Sequence, residues 1–141
     1  MRVLVDANVL ISYLLNSRPD GPIGAFIDAC LDARFELLLP VRILVELRQV
    51  VASKPYLRDR ITMGDVDLLW GMLRRRSFEL SEFPDNIPQI SRDPEDDYLI
   101  VHAVLGRADY LVTGDKDLLV LGEIQNVCIV TPTEFIAIIE S

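Results

Sequence analysis

The sequence predicts an α/β fold: a three-layer sandwich whose central, mainly parallel sheet is flanked by helices. Three observations carry that expectation. Short runs such as residues 2 to 5 and 127 to 130 are almost wholly apolar, which suits strands covered on both faces rather than strands with one wet side. Stretches of helical period fall between them, and clusters of turn residues punctuate the exchange. At 141 residues, 50% of them apolar and 26% charged, the chain holds enough material for one domain, read as residues 1–141, with a core that needs no disulfide or structural metal.

The elements follow in order. Residues 2 to 5 form a strand that ends at Asp6, and Val9, Leu10, Tyr13 and Leu14 continue as a helix. Pro19, Gly21 and Pro22 mark a loop before a second helix over about 23 to 33, and residues 35 to 39 read as a strand stopped by Pro40. Ile43, Leu44, Leu47, Val50 and Val51 recur at helical spacing, with Glu46 on the flank of that face, and Pro55 closes the segment. A helix over 64 to 76 places Val66, Leu69, Trp70 and Leu73 on one side, followed by a short strand at 78 to 80. Residues 81 to 94, with Pro84, Pro88 and Pro94, read as a loop. A helix over about 95 to 106, a strand at 108 to 112, one helical turn at 115 to 119 and a strand at 127 to 130 follow. The last helix covers 133 to 139, after Pro132, with Thr131 as its cap.

Cys30 and Cys128 lie in separate apolar segments without metal-ligand spacing, which fits core residues in a reducing cytosol and a cytoplasmic location. No apolar run reaches the ~18 residues of a membrane span, because Arg42, Glu46 and Arg48 interrupt the longest. Asp6 also cuts the first apolar run too short for a secretory signal. Fourteen Lys and Arg against 22 Asp and Glu give a formal charge of −8, the reverse of a simple nucleic-acid-binding domain. That objection weakens if carboxylates gather around divalent cations, which invert the local sign met by a phosphate.

Where the acids fall therefore matters most. Open parallel sheets bind ligands beyond the carboxyl ends of their strands, and two acids stand there: Asp6 after residues 2 to 5, and Asp115 after Tyr110-Leu111-Val112-Thr113-Gly114. Gly114 is expected to let the backbone turn tightly into the site. The run Asp93-Pro94-Glu95-Asp96-Asp97 begins a helix, where capping and the helix dipole explain acids without catalysis; for the run alone that explanation is the stronger. Glu46 either points along the sheet edge or lies in solvent. If Asp6, Glu46, Asp96 or Asp97, and Asp115 converge, each ionised pair at ~5 Å repels by about 3 kcal/mol at an effective dielectric of 20, so the cluster requires a cation. Oxygen donors without histidine favour Mg²⁺ or Mn²⁺ over zinc, and the matching chemistry is metal-assisted phosphodiester hydrolysis.

The order of these motifs resembles the PIN-domain family of metal-dependent ribonucleases along nearly the whole chain. Val5-Asp6-Ala7-Asn8-Val9-Leu10 resembles its opening motif, Ile43-Leu44-Val45-Glu46-Leu47 its second, Asp93-Pro94-Glu95-Asp96-Asp97-Tyr98-Leu99 its third and Val112-Thr113-Gly114-Asp115-Lys116-Asp117-Leu118 its fourth. The resemblance implies catalytic roles for Asp6, Glu46, Asp96 and Asp115, with Asp96 or Asp97 as the third acid. It implies metal ligation by Asp6, Glu46, Asp96, Asp97, Asp115 and Asp117, and support from Asn8 and Thr113. It is nearest to PIN proteins described as toxins of prokaryotic toxin-antitoxin pairs, which implies an endoribonuclease using Mg²⁺ or Mn²⁺, an RNA substrate, an antitoxin partner and a homodimer. One or two ions would activate water and stabilise the phosphoryl transition state, leaving a 5′-phosphate.

Other features have plainer explanations beside functional ones. Arg74-Arg75-Arg76, with Arg58 and Arg60, would guide an RNA backbone, yet arginines also suit a helix C-terminus. Lys116 reads as a solvated lysine and His102 as a packed mid-helix residue. Trp70, Met72 and Leu73 read as core, or else as an apolar patch for a partner helix. Three other classes compete. A receiver module lacks its acid after residues 35 to 39, and a dehalogenase-like phosphatase needs an Asp where Asn8 stands. The third, a PIN-like module that binds RNA or protein without cutting, sits poorly with four retained acidic motifs, since clustered carboxylates are costly without a metal.

Overall fold

The computed structural model describes residues 1–16, 20–75, 77–80 and 94–141, and for 77–80 and 94–97 the backbone alone. Five parallel strands and one antiparallel strand make a single sheet in the order β3-β2-β1-β4-β6-β5. The strands are β1 (Arg2–Val5), β2 (Glu36–Pro40), β3 (Ser77–Leu80), β4 (Tyr110–Val112), β5 (Glu123–Ile124) and β6 (Val127–Val130). Helices α1 (Ala7–Leu15), α2 (Pro22–Leu31), α3 (Val41–Ser53), α4 (Pro55–Arg58), α5 (Met63–Arg74), α6 (Pro94–Leu105), α7 (Lys116–Leu119) and α8 (Pro132–Glu140) flank it. The three-layer α/β expectation holds.

The middle of the sheet is where the sequence is most apolar. Val3, Leu4 and Val5 of β1, Leu37 and Leu39 of β2, and Leu111 and Val112 of β4 are fully buried, as strands covered on both faces must be. In register, Val5 pairs with Val112 and Val112 with Val130. The next residues, Asp6 and Thr113, therefore emerge side by side at the carboxyl edge, held by Asp6 N–H to the Val112 carbonyl at 3.0 Å and Thr113 N–H to the Val130 carbonyl at 2.9 Å. A cluster of Phe26, Phe35, Tyr110 and Phe135, with ring centroids 5.1 to 5.7 Å apart, joins α2 and α8 to the sheet through edge-on aromatic contacts.

Local chemistry sets most helix ends. Pro22 opens α2 after Gly21, and Pro132 opens α8, both at positions where a missing N–H costs nothing. Thr131 with Glu134, and Thr62 with Asp65, form reciprocal capping boxes at α8 and α5. Two elements differ from the sequence expectation. Pro55 does not end helical structure; it starts the short α4, so Arg58 lies on a helix rather than a loop. The strand β5 reaches β6 through Gln125 and Asn126, with φ of 46° and 72°, a two-residue hairpin turn built without glycine. The expected loop at 81 to 94 lies outside the described residues except for Pro94, which is the first residue of α6. Pro19, Arg76 and Asp93 also lie outside them.

Trp70 and Leu73 are core, whereas Met72 is half-buried and the most exposed apolar residue of α5 is Leu68, at 67%. Cys30 is buried, with its thiol pushed up to about 11 by desolvation, so it is unreactive; Cys128 is half-buried. Among the described residues no helix is long and apolar enough to cross a membrane.

Candidate active site at the carboxyl edge of the sheet

Asp6 and Asp115 meet where β1 and β4 end. Asp6 caps α1: its Oδ1 accepts the Asn8 N–H at 3.3 Å, one of the otherwise orphaned donors of a helix start. Its Oδ2 accepts the Thr113 hydroxyl at 2.8 Å. Thr113, fully buried, in turn accepts the Asp115 N–H at 3.0 Å, and Asp115 caps α7 by accepting the Asp117 N–H at 2.9 Å. One chain of hydrogen bonds thus orients both acids.

Electrostatics follows from placement. Asp6 is only 2% exposed. Burial pushes its carboxyl above the ordinary range, the Thr113 hydroxyl and the Asn8 N–H pull it back, and the charge of Asp115 pushes it up again. Such a carboxylate gains from a nearby cation. Asp115 is half-buried and Asp117 exposed, so Asp117 stands at the rim. Gly114 has no left-handed backbone, and a Cβ there would meet nothing within 4 Å. The turn does not demand glycine after all; what Gly114 supplies is open space beside Asp115.

Glu46 belongs to a neighbouring arrangement. Its carboxylate accepts the hydroxyl of Tyr98 on α6, and the Arg42 guanidinium lies over the Tyr98 ring, 4.4 Å from its centroid. A groove of about 370 Å³ runs along α3 beside these groups, past Val45 and Gln49 to Ser53. Asp96 and Asp97 precede Tyr98 in the first turns of α6, so the backbone of the third motif lies next to the residue that holds Glu46; their side chains lie outside the description. Among the described residues no three acidic, histidine or cysteine side chains form a metal-binding group. The structure therefore brings Asp6, Asn8, Thr113, Asp115 and Asp117 together, and ties Glu46 to α6 through Tyr98.

Sequence reasoning missed Tyr98 and Arg42. Both had a signal: Arg42 precedes Glu46 by one helical turn, and Tyr98 follows the acid pair directly. His102, one turn after Tyr98, is packed as expected. Its Nδ1 donates to the Tyr98 carbonyl at 2.7 Å, and its pKa is lowered to about 4 by burial and by the Arg42 charge. Arg58, Arg60, Arg74 and Arg75 are exposed.

The family model for the PIN domain matches residues 2–117, from β1 into α7. No curated protein matches the sequence. Among solved structures, a chain in the crystal structure of VapBC2 from Rickettsia felis, bound to a DNA fragment from their promoter, superposes with a TM-score of 0.60 at 15% identity, over 92% of this chain and 97% of that one. That likeness is one of fold. With the family model spanning all four acidic motifs but for the end of the last, the chain belongs to the PIN-domain family.

Proposed function

We propose that this protein is a metal-dependent endoribonuclease, the toxin of a toxin-antitoxin pair. The observation that carries the reading is the Asp6–Thr113–Asp115 constellation at the carboxyl edge of a PIN domain. Its donors are all oxygen, and the buried Asp6 carboxyl is raised by desolvation, a combination that fits a hard cation such as Mg²⁺ or Mn²⁺ better than zinc. Asp6 and Asp115 would hold it, with Glu46, Asp96, Asp97 and Asp117 as the remaining candidates. When bound, the ion supplies a lowered water pKa and charge stabilisation at the scissile phosphate. The chain's own residues do the rest: Thr113 fixes the Asp6 carboxylate, Asn8 and the α1 start hold its second oxygen, and Tyr98 fixes Glu46.

The partner reading rests on the α3 groove, where Val45 is 47% exposed beside Arg42 and Glu46, a face of the kind that receives an amphipathic helix from an antitoxin. The structural relative is itself a VapBC2 assembly with promoter DNA. Homodimerisation and a cytoplasmic location belong to the same reading and rest on the family resemblance and the free cysteines.

The test is cleavage of a mixed single-stranded RNA pool by the purified chain in Mn²⁺, Mg²⁺ or EDTA, beside Asp6→Asn. Asparagine keeps the cap of α1, so the fold should survive. Metal-dependent cutting that the variant lacks is the expected result. RNA binding without cutting by the folded, metal-loaded protein would favour the non-catalytic binding module, and cutting that survives both EDTA and the substitution would overturn the acid assignment.

A further inference from the structure

Two clefts of about 340 and 300 Å³ adjoin at Ile23 and Pro132, which line both; together they make up the trench. It opens at Gly114 and Asp115, passes Asn8, Val9 and Ser12, and ends at Asn16 beside the start of α2. Three features mark it as built for a neutral, flat group. Its apolar floor comes from Val9, Ile23 and Pro132. Among the described residues that line it, Asp115 at the mouth is the charged one and the others are apolar or neutral polar. Asn8 and Ser12 stand one turn apart and so share one face of α1, Asn16 follows as its C-cap, and among the described residues none of these three side chains makes a hydrogen bond to another part of the protein. Polar groups that are idle, aligned and set over an apolar floor are the equipment that reads an unpaired base by its edge.

We propose that this trench holds an unpaired nucleobase of the RNA strand, in the nucleotide next to the one whose phosphate meets Asp6 and Asp115, and that Asn8, Ser12 and Asn16 select it. The proposal rests on the ribonuclease reading, since it takes the position of the phosphate from it. The strand leaves the acids by the one wall where Gly114 contributes no side chain, and its next base enters the trench with one face on Ile23 and Pro132. The volume of each cleft lies within the range of small-ligand sites, about 300 to 1,000 Å³.

The test reads binding and cutting separately. Short RNA oligonucleotides, intact or abasic at one position in turn, are titrated in Ca²⁺ against the full chain, Ser12→Trp, which fills the trench, and Ile23→Gln, which wets its floor in the first turn of α2. Cut ends from the mixed RNA pool are sequenced for the same proteins. One abasic position should weaken binding about tenfold, the worth of one modest buried apolar contact. Either variant should weaken intact RNA as much and lose the discrimination, with a changed base preference at the cut. Asn16→Ala, at the exposed end of α1, serves if the larger change fails to fold. Equal binding of intact and abasic RNA at every position overturns the trench, as does an unaltered cutting pattern in folded variants, and the latter leaves the ribonuclease reading standing. Abasic discrimination without any cutting keeps the trench and removes the nuclease.

Discussion

The Thr113 hydroxyl donates to Asp6 Oδ2 at 2.8 Å across a sequence separation of 107 residues. Because the Thr113 hydroxyl oxygen also accepts the Asp115 N–H, one small side chain sets the positions of two acids at the ends of neighbouring strands. Valine has threonine's shape and lacks the hydroxyl, which makes it the sharpest probe of this link.

Thr113→Val should cost about 1.5 to 3 kcal/mol of stability, the range for a lost hydrogen bond to a charged group, read by urea melts. RNA cleavage should fall about 10- to 100-fold, the usual effect of removing a group that orients a metal ligand. Thr113→Ser should recover most of both. A valine variant with wild-type cleavage would show that the acids are held by other means.

Metal should act on stability through Asp6. At a hundredfold excess over its dissociation constant, Mn²⁺ should raise the unfolding free energy by about 2.7 kcal/mol, seen as a higher Tm. In Asp6→Asn that gain should shrink or vanish. Without metal, the variant should be at least as stable as the parent, because the raised Asp6 pKa means that burying its charge is unfavourable. The sign also fixes the pH dependence: the Asp6 contribution is present at low pH, where the group is protonated, and is lost as pH rises through its folded value.

Tyr98→Phe removes the hydroxyl that meets Glu46 and keeps the ring beneath Arg42. We expect a stability loss of about 1 kcal/mol and cleavage reduced about tenfold if Glu46 serves the site. Unchanged kinetics in the folded variant would place Glu46 outside the working acids.

His102 predicts the opposite pH trend to Asp6. Its folded pKa of about 4 lies below the unfolded 6.5, so its contribution is complete above pH 6.5 and lost as pH falls toward 4, by at most about 3 kcal/mol. His102→Gln should flatten the fall in Tm across that window. A slope equal to the parent's would mean that another group carries the acid sensitivity.

The sheet was legible because its strands are short, apolar and followed by helical periods, and the carboxyl-edge rule then singled out Asp6 and Asp115, which do stand at that edge. The link between them was half legible: Thr113 stood out only as a supporting group, since nothing in a sequence says that Val5 pairs with Val112 and so sets the next residues side by side. β5 was invisible because it has two residues and turns through Gln125 and Asn126, without the Asn-Gly or Gly-Gly pair that announces such hairpins. Gly114 invited an argument from backbone freedom that the structure does not need. Tyr98 escaped notice because an aromatic at the start of an apolar helix reads as core, which it also is.

The parallel order of the sheet also has a consequence in time. Asp6 is made 107 residues before Thr113, its partner just beyond β4. At the usual pace of about 5 to 20 residues per second, roughly 5 to 20 seconds pass between them. During that interval the first acid has no opposite number, so the chain of hydrogen bonds that orients Asp6 and Asp115 forms only after β4 has been made.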